Sequence, residues 1–301
     1  MRRPPHTIEF YYHPESPTRL DDLVLEVKGD DFSACLTAED YEVIAAEWPH
    51  ILALNPKAVS FHQGLLCLKD TSRVGSDGVL EFCTTDFATY VAASRTSERG
   101  RPLSSVVYDT MRVGAVGGAV YSVNDFVLVH KRPVTATHVA DRRDASIAGL
   151  VRPDAEGNIS MRSAFREKLT RELGLFSDEV DDIFEEKNGF SIRCTDVHSS
   201  SAPDCSGMVD AVIRVPLTQT ELALRISPQY LVDVDWVHRN ALPDYVVNHF
   251  LSRHGTSEAL IPDGVAALMS SLDADGFAYV RKRLGHDIAF GALVNGVFVK
   301  E

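Results

Sequence analysis

The residues best placed for chemistry lie on one amphipathic helix near the middle of the chain. Phe165, Leu169 and Leu173 recur at i, i+4 and i+8 and predict a buried apolar ridge. Glu172 lies on the flank of that ridge, so we expect its carboxylate to point into a cleft. Carboxylate oxygens are the ligands that a hard cation such as Mg²⁺ prefers. Lys168 lies four residues before Glu172 on the same side, and its ammonium group would repel a cation there.

The segment around this helix resembles the Nudix box, the loop–helix–loop with which Nudix hydrolases bind divalent metal and cleave nucleoside diphosphates linked to another group. Gly149 begins the preceding loop, and Leu-Thr-Arg-Glu-Leu-Gly-Leu at 169–175 matches the end of the family pattern. Several acidic positions of that pattern are lost. The helix can be aligned with the family pattern either from Gly174 at its end or on Arg166 and Glu167. The two alignments differ by one residue, which is about 100° of helix rotation. Only the alignment from Gly174 keeps the apolar ridge facing inward. The chain therefore carries a degenerate form of the motif.

The resemblance implies a metal site in which Glu172 and Glu156 bind Mg²⁺ or Mn²⁺ and are the catalytic carboxylates. Such ions neutralise a diphosphate and activate a water molecule. Asp235, in a strand where acidic and apolar residues alternate, is a further candidate ligand. Lys168 stands where the second carboxylate of the helix is expected, and Arg171 replaces the adjacent glutamate. These two replacements leave open whether a metal site is retained.

Basic and polar residues on either side of the box are candidates for contacts with a substrate. Arg132, Arg142 and Arg143 lie just upstream of it, where the resemblance implies contacts with phosphate. Asp196 and His198 belong to a polar segment predicted as a loop between two strands, and either side chain could act as a general base or bind a hydroxyl group. We therefore predict the three arginines and His198 as substrate-binding residues and Asp196 as a catalytic residue. The alternative for each of these residues is that it is a solvated surface side chain without a role in binding or catalysis.

The order of predicted elements indicates an α/β protein. Residues 1–108 predict a smaller N-terminal α/β domain, residues 109–255 have the sheet–helix–sheet–helix order of an α/β/α sandwich, and residues 256–301 predict a helical extension. A helix ending in Trp48 and a hairpin at 113–129 add to this layout, which resembles that of animal Nudix proteins that hydrolyse UDP-sugars. The resemblance implies a Nudix-type α/β/α sandwich with a mixed sheet and a nucleotide sugar as substrate.

Composition restricts the expected partners and compartment. The formal net charge of −13 repels nucleic acid, so we expect a small phosphorylated ligand and no nucleic-acid partner. Apolar runs are shorter than the roughly 18–20 residues that span a bilayer, and the first residues do not predict a secretory signal, so no membrane partner is expected. Five scattered cysteines favour a reducing compartment, and the cytoplasm is the predicted location. The oligomeric state is left open.

Two functions agree with these residues. In the first, the chain hydrolyses a nucleoside diphosphate linked to another group, such as a nucleotide sugar, by metal-assisted attack of water on the diphosphate. In the second, it is a catalytically inactive Nudix-fold protein that binds a nucleotide-like ligand or a protein partner. Lys168 and Arg171 favour the second function, whereas Glu156 and the Gly174–Leu175 ending favour the first.

Overall fold

The chain folds as a mixed α/β protein around an open, mixed sheet, as a computed structural model shows, and the predicted α/β class is confirmed. Described here are residues 6–10, 24–61, 64–70, 79–97, 100, 102–111, 113–136, 140–152, 159–186, 190–199, 205–252, 256–294 and 297–300.

Nine α-helices lie within these ranges. They are α1 (Ala38–Leu54), α2 (Phe87–Ser97), α3 (Ser105–Thr110), α4 (Met161–Leu173), α5 (Ser177–Glu185), α6 (Gln219–Ala223), α7 (Leu242–Val247), α8 (Pro262–Met269) and α9 (Ala274–Leu284). In the described part of the chain, none of these helices has the length and apolarity needed to cross a membrane.

The strands join into one sheet. They are β1 (His6–Phe10), β2 (Val24–Asp31), β3 (Leu65–Asp70), β4 (Val79–Thr85), β5 (Val113–Tyr121), β6 (Phe126–Lys131), β7 (Arg143–Asp144), β8 (Ile147–Leu150), β9 (Phe190–Ser199), β10 (Cys205–Arg214), β11 (Val232–His238), β12 (Ile288–Val294) and β13 (Val297–Lys300). The longest path of paired strands runs β13–β12–β1–β9–β10–β5–β3–β4–β2.

Strand β5 is the branch point of the sheet. One edge of β5 pairs with β10 in parallel along its whole length. Antiparallel partners of β5 are β3 at its start, β8 in its middle and β6 at its end. β6 in turn pairs with β7 and β11. The strand that carries Gly149 is therefore fixed against the centre of the sheet, next to the helix α4 that follows it.

The two faces of the sheet pack against different helices because side chains alternate along β5. Val116 and Val120 belong to an apolar cluster on one face that includes the ridge of α4 and residues of α5. Ala119 and Tyr121 belong to a second cluster that includes α7, α8 and α9. Helices thus cover the central strands on both sides.

A third apolar cluster lies among β3, β4 and the helices α1, α2 and α3. At the start of α1, Thr37 and Asp40 form the capping box that their spacing predicts. The Asp40 carboxylate also accepts the Ser104 backbone N–H at 2.6 Å and the Ser104 hydroxyl at 2.8 Å. This carboxylate is nearly inaccessible to solvent, and it ties the beginning of α1 to the beginning of α3.

The sheet extends across the predicted domain boundaries. β1, from the first residues of the chain, lies between β9 and β12. β3 pairs with β5 where Cys67 lies opposite Val113. The helices found within the described part of the helical extension predicted over 256–301 are two, α8 and α9, since Asp273 caps a new helix at Ala274. The domain boundaries at 108 and 255 stay predictions. Strands pair across the first boundary (β3 with β5) and across both boundaries together (β1 with β12).

The ridge of α4 sets the rotation of the helix and should be a major source of stability. Leu169 is fully buried, so Leu169→Ala should lower the free energy of unfolding by about 3 kcal/mol through lost contacts and a residual cavity. Leu224 is 85% exposed and provides the matched control, for which Leu224→Ala should change that free energy by less than about 0.5 kcal/mol. Urea titration measures both. Equal losses in the two variants would contradict the assigned helix face.

Candidate functional site

Helix α4 is fixed in position at both ends. The Ser160 hydroxyl accepts the Ser163 N–H at 3.1 Å and caps its first turn. Gly174 ends the helix with φ of 65°, and a Cβ there would lie 2.5 Å from the Arg225 carbonyl oxygen. A glycine is required by both the left-handed backbone and the close approach of the neighbouring chain. The predicted ridge is confirmed, since its three apolar residues are all fully buried.

This rotation places Glu172 inside the protein. The residue is only 5% exposed, in agreement with the predicted inward orientation. Its Oε1 accepts a hydrogen bond from Lys168 Nζ at 3.1 Å and another from Arg171 Nη2 at 3.2 Å. The buried carboxylate is thus neutralised by two cationic side chains of the same helix.

Lys168 reaches Glu172 across a glycine of the neighbouring strand. A Cβ at Gly149 in β8 would lie 2.1 Å from both Lys168 Cε and Lys168 Nζ. Any larger residue at 149 would displace the ammonium group from this position. The Lys168 side chain is 11% exposed. Burial lowers the pKa of Lys168, the Glu172 carboxylate opposes that shift, and the nearby Arg171 adds to it.

Two more cationic side chains lie beside this pair. Arg171 is more open to solvent, forms an ion pair with Glu167 and lies 4.9 Å over the ring of Tyr230. Arg152 is exposed by surface area, but partial desolvation of its guanidinium lowers its pKa, and Arg171 and Glu167 are close enough for their charges to act on it. The site therefore combines two arginines, one lysine and two glutamates, so its fixed charge is net positive.

A buried histidine lies next to this group. Burial lowers the pKa of His130, while the carboxylates of Asp144 and Glu172 oppose the shift and Arg132 adds to it. The imidazole hydrogen-bonds the backbone of Ala145, and its Nδ1 has no hydrogen-bond partner among the described residues. His130 was not among the residues predicted from sequence, since it ends an apolar strand without any motif.

The predicted substrate residue Arg132 is held by an acidic neighbour. Its Nη1 lies 3.1 Å from Asp144 Oδ2, and Asp144 is almost completely buried. The backbone N–H of Arg132 bonds the Arg142 carbonyl oxygen at 2.8 Å. Arg142 itself is half-buried. Arg132 is thus linked to the Glu172 group through Asp144 and His130.

The structure places Arg143 and Asp235 in a separate ion cluster. Arg143 Nη1 lies 3.1 Å from Asp235 Oδ2, its Nη2 lies 3.1 Å from Asp233 Oδ2, and its Nε donates to Glu258 Oε2 at 2.8 Å. Asp235 Oδ2 also accepts the Tyr245 hydroxyl at 2.7 Å. Asp235, predicted to bind a metal, and Arg143, predicted to bind phosphate, are therefore bound to each other.

Lys131 completes this cluster. Its Nζ donates to Glu258 Oε1 at 2.6 Å and lies 3.4 Å from Asp233 Oδ2. The hydrogen bond from Lys131, together with that from Arg143, lowers the pKa of Glu258 to about 2. The cluster joins β6, β7 and β11 to the segment before α8, and it uses two cations against three carboxylates.

Asp196 and His198 lie in a strand, so the loop prediction was wrong for residues 196–199, and residues 200–204 of the same segment lie outside the described residues. Both belong to β9, whose residues pair with β1 on one side and with β10 on the other. Gly149, Val116, Val209 and Cys194 lie side by side across β8, β5, β10 and β9. Three strand spacings of about 4.8 Å separate β9 from β8, on the order of 14 Å in total. The backbone at 196 is thus remote from Gly149.

The described residues around Glu172 do not fit a divalent cation. Where the structure describes the chain, there is no group of three or more His, Cys, Asp or Glu side chains that could hold a metal ion. Glu172 Oε1 already bonds Lys168 and Arg171, whose cationic groups offer no lone pair to a metal. Glu156, the second predicted ligand, lies outside the described residues. Mg²⁺ or Mn²⁺ binding therefore stays a prediction.

The buried His130 should make the fold sensitive to mild acid. Because its folded pKa lies below the ordinary value of 6.5, the unfolded chain binds a proton first as the pH falls. Its contribution to stability is complete above about pH 6.5 and is lost progressively below it, at up to about 1.4 kcal/mol per pH unit. Urea titrations at pH 7, 6 and 5 should show this loss in the wild type and a smaller one in His130→Gln. The exposed His50→Gln is the matched control, and equal slopes in all three proteins would contradict the assignment.

Comparisons with known proteins complete the description of the site. No family model matches the sequence, and no curated protein matches it. Among solved structures, the chain is similar to DR0079 from Deinococcus radiodurans, with 18% identity, coverage of 44% of this chain and 71% of that chain, and a TM-score of 0.30. A likeness at that level does not define a family.

Proposed function

We propose that this chain is a Nudix-like protein that binds a phosphorylated, nucleotide-like ligand through its own cationic side chains, without metal-dependent hydrolysis. The observation that supports this most directly is the 3.1 Å contact between Lys168 Nζ and Glu172 Oε1. The carboxylate that the resemblance assigns to a divalent ion is instead neutralised by an ammonium group of the protein. This is the second of the two functions considered from the sequence.

The layout around α4 supports the Nudix-like part of the proposal. Strand β8 carries Gly149, α4 follows it, and Gly174 ends the helix in the left-handed conformation. The ridge of α4 packs on one face of the central strands, and α8 packs on the other. This order of strand, helix and left-handed helix end over a mixed sheet agrees with the α/β/α sandwich that the resemblance implies.

The charge balance supports a phosphorylated ligand. In a metal-dependent site, divalent ions neutralise the diphosphate. Here Lys168 and Arg171 provide two positive charges at the same carboxylate, and Arg152 provides a third nearby. Arginine binds phosphate oxygens through a planar fork and lysine binds them as a point charge. Phosphate oxygens can therefore replace Glu167 as the partner of the partly exposed Arg171 without any ion being recruited.

Calorimetric titration with UDP-glucose, GDP-mannose and pyrophosphate tests this proposal. We expect at least one of these probes to bind with the same Kd in EDTA as in Mg²⁺, because the counter-charge belongs to the protein. Lys168→Met should weaken that binding about tenfold or more, since a charge-assisted hydrogen bond is lost. Lys282→Met, at an exposed position of α9, is the matched control. Release of a nucleoside monophosphate with Mg²⁺ or Mn²⁺, abolished by Glu172→Gln, would establish the hydrolase instead.

A second test exchanges the ammonium group for a carboxylate. Lys168→Glu places two buried carboxylates at i and i+4, so the variant should unfold several degrees below the wild type in EDTA because like charges repel. Millimolar Mg²⁺ should recover much of that loss, since two adjacent carboxylates can bind the ion. Lys168→Met, which removes the ammonium without adding an acid, should show no response to Mg²⁺. A wild type that Mg²⁺ stabilises as much as it stabilises Lys168→Glu would contradict the proposed replacement of metal by lysine.

A further inference from the structure

Two cysteines outside the candidate site face each other across neighbouring strands. Cys67 in β3 and Cys83 in β4 are directly opposite in the antiparallel register. Side chains of directly opposed residues lie on the same face of a sheet. Both belong to the apolar cluster beneath α1 and α2, where Cys67 is 1% and Cys83 is 6% exposed. Neither cysteine forms a disulfide in this structure.

The register of this pair suits a covalent bond between the two sulfurs. The Cys83 thiol donates to the Cys67 carbonyl oxygen at 3.5 Å, which places one sulfur beside the backbone of the other cysteine. Opposed residues of an antiparallel pair have Cα atoms about 4.5 or 5.5 Å apart, depending on the ladder position. Disulfides join Cα atoms about 4.4–6.8 Å apart. Either position thus allows a disulfide without large movement of the strands.

We propose that Cys67 and Cys83 are a redox-active pair that forms a reversible cross-strand disulfide when the protein meets a peroxide. One thiolate attacks the peroxide oxygen and becomes a sulfenic acid as water leaves. The second thiol then attacks the sulfenic sulfur, the S–S bond forms, and a second water leaves. Two thiols and one peroxide thus give one disulfide and two waters. In a reducing compartment such bonds are transient and depend on redox conditions.

The position of the pair in the sheet gives the bond a structural consequence. Cys67 also lies opposite Val113, the first residue of the branch strand β5. A disulfide would therefore fix β4 to β3 at the point where the N-terminal strands join the centre of the sheet. Because a cross-link restricts the unfolded chain, the oxidised protein should have a melting temperature a few degrees above that of the reduced protein, and a reductant should remove the difference.

Peptide mapping after oxidation of the native wild-type protein tests the proposal. The protein is treated with hydrogen peroxide, its remaining thiols are alkylated in denaturant, and the digest is analysed by mass spectrometry. We expect one cross-linked species joining the Cys67 and Cys83 peptides, lighter by two hydrogens than their sum and absent after dithiothreitol. The exposed Cys35 reports that the oxidant has reached the protein, and it should react first because the buried pair depends on local opening.

Single variants separate the pair from the other thiols. Cys67→Ala and Cys83→Ala should each abolish both the cross-linked species and the rise in melting temperature, whereas Cys35→Ala should keep both. The mapping of the wild type needs no variant, so poor folding of either alanine variant does not affect it. Oxidation of Cys35 while Cys67 and Cys83 are recovered fully alkylated, or as separate sulfinic acids, would overturn the proposal.

Discussion

The ion pair between Lys168 and Glu172 is the interaction on which the candidate site depends. Both charged groups are largely removed from water, so each needs the other to offset the cost of its burial. The pair forms because the ridge of α4 fixes the rotation of the helix and because Gly149 leaves space for the ammonium group. A rotation by one residue, about 100°, would turn both side chains out of this position and away from Gly149.

The pair also decides which chemistry the site can support. A carboxylate that binds two cationic side chains has little affinity left for a divalent ion, whereas those cations can bind phosphate oxygens. The local charge contrasts with the whole chain, whose formal net charge is −13. Under the proposed function, the net negative charge of the chain would repel an anionic ligand, and the cationic side chains at Glu172 would offset that repulsion locally.

Helix periodicity made part of the site predictable from sequence. The spacing of Phe165, Leu169 and Leu173 fixed the inward side of α4, and with it the burial of Glu172 beside Lys168. Periodicity contains no information on which strands become neighbours. The contact between Asp235 and Arg143 depends on β6 lying between β7 and β11, so these two residues could not be predicted as partners of each other.

The lack of information on strand neighbours also explains why part of strand β9 was predicted as a loop. Asp, His and Ser residues around 196–199 favour turns when only local preference is considered. Their backbone groups nevertheless pair with β1, which is distant in sequence, on one side and with β10, the next strand along the chain, on the other. Tertiary pairing here outweighs local propensity. His130 was missed for a related reason, since its burial beside Asp144 and Glu172 depends on the packing of three separate elements.

The two ion clusters differ in their balance of positive and negative charge. Around Arg143, two cations meet three carboxylates, and the guanidinium donors are occupied by Glu258, Asp233 and Asp235. An arriving phosphate would have to displace carboxylates from a cluster with excess negative charge. Around Glu172 the balance is reversed, and Arg171 keeps part of its guanidinium open to solvent. This charge balance supports the proposed phosphate site beside α4, whereas the Arg143 cluster joins the strands of the sheet.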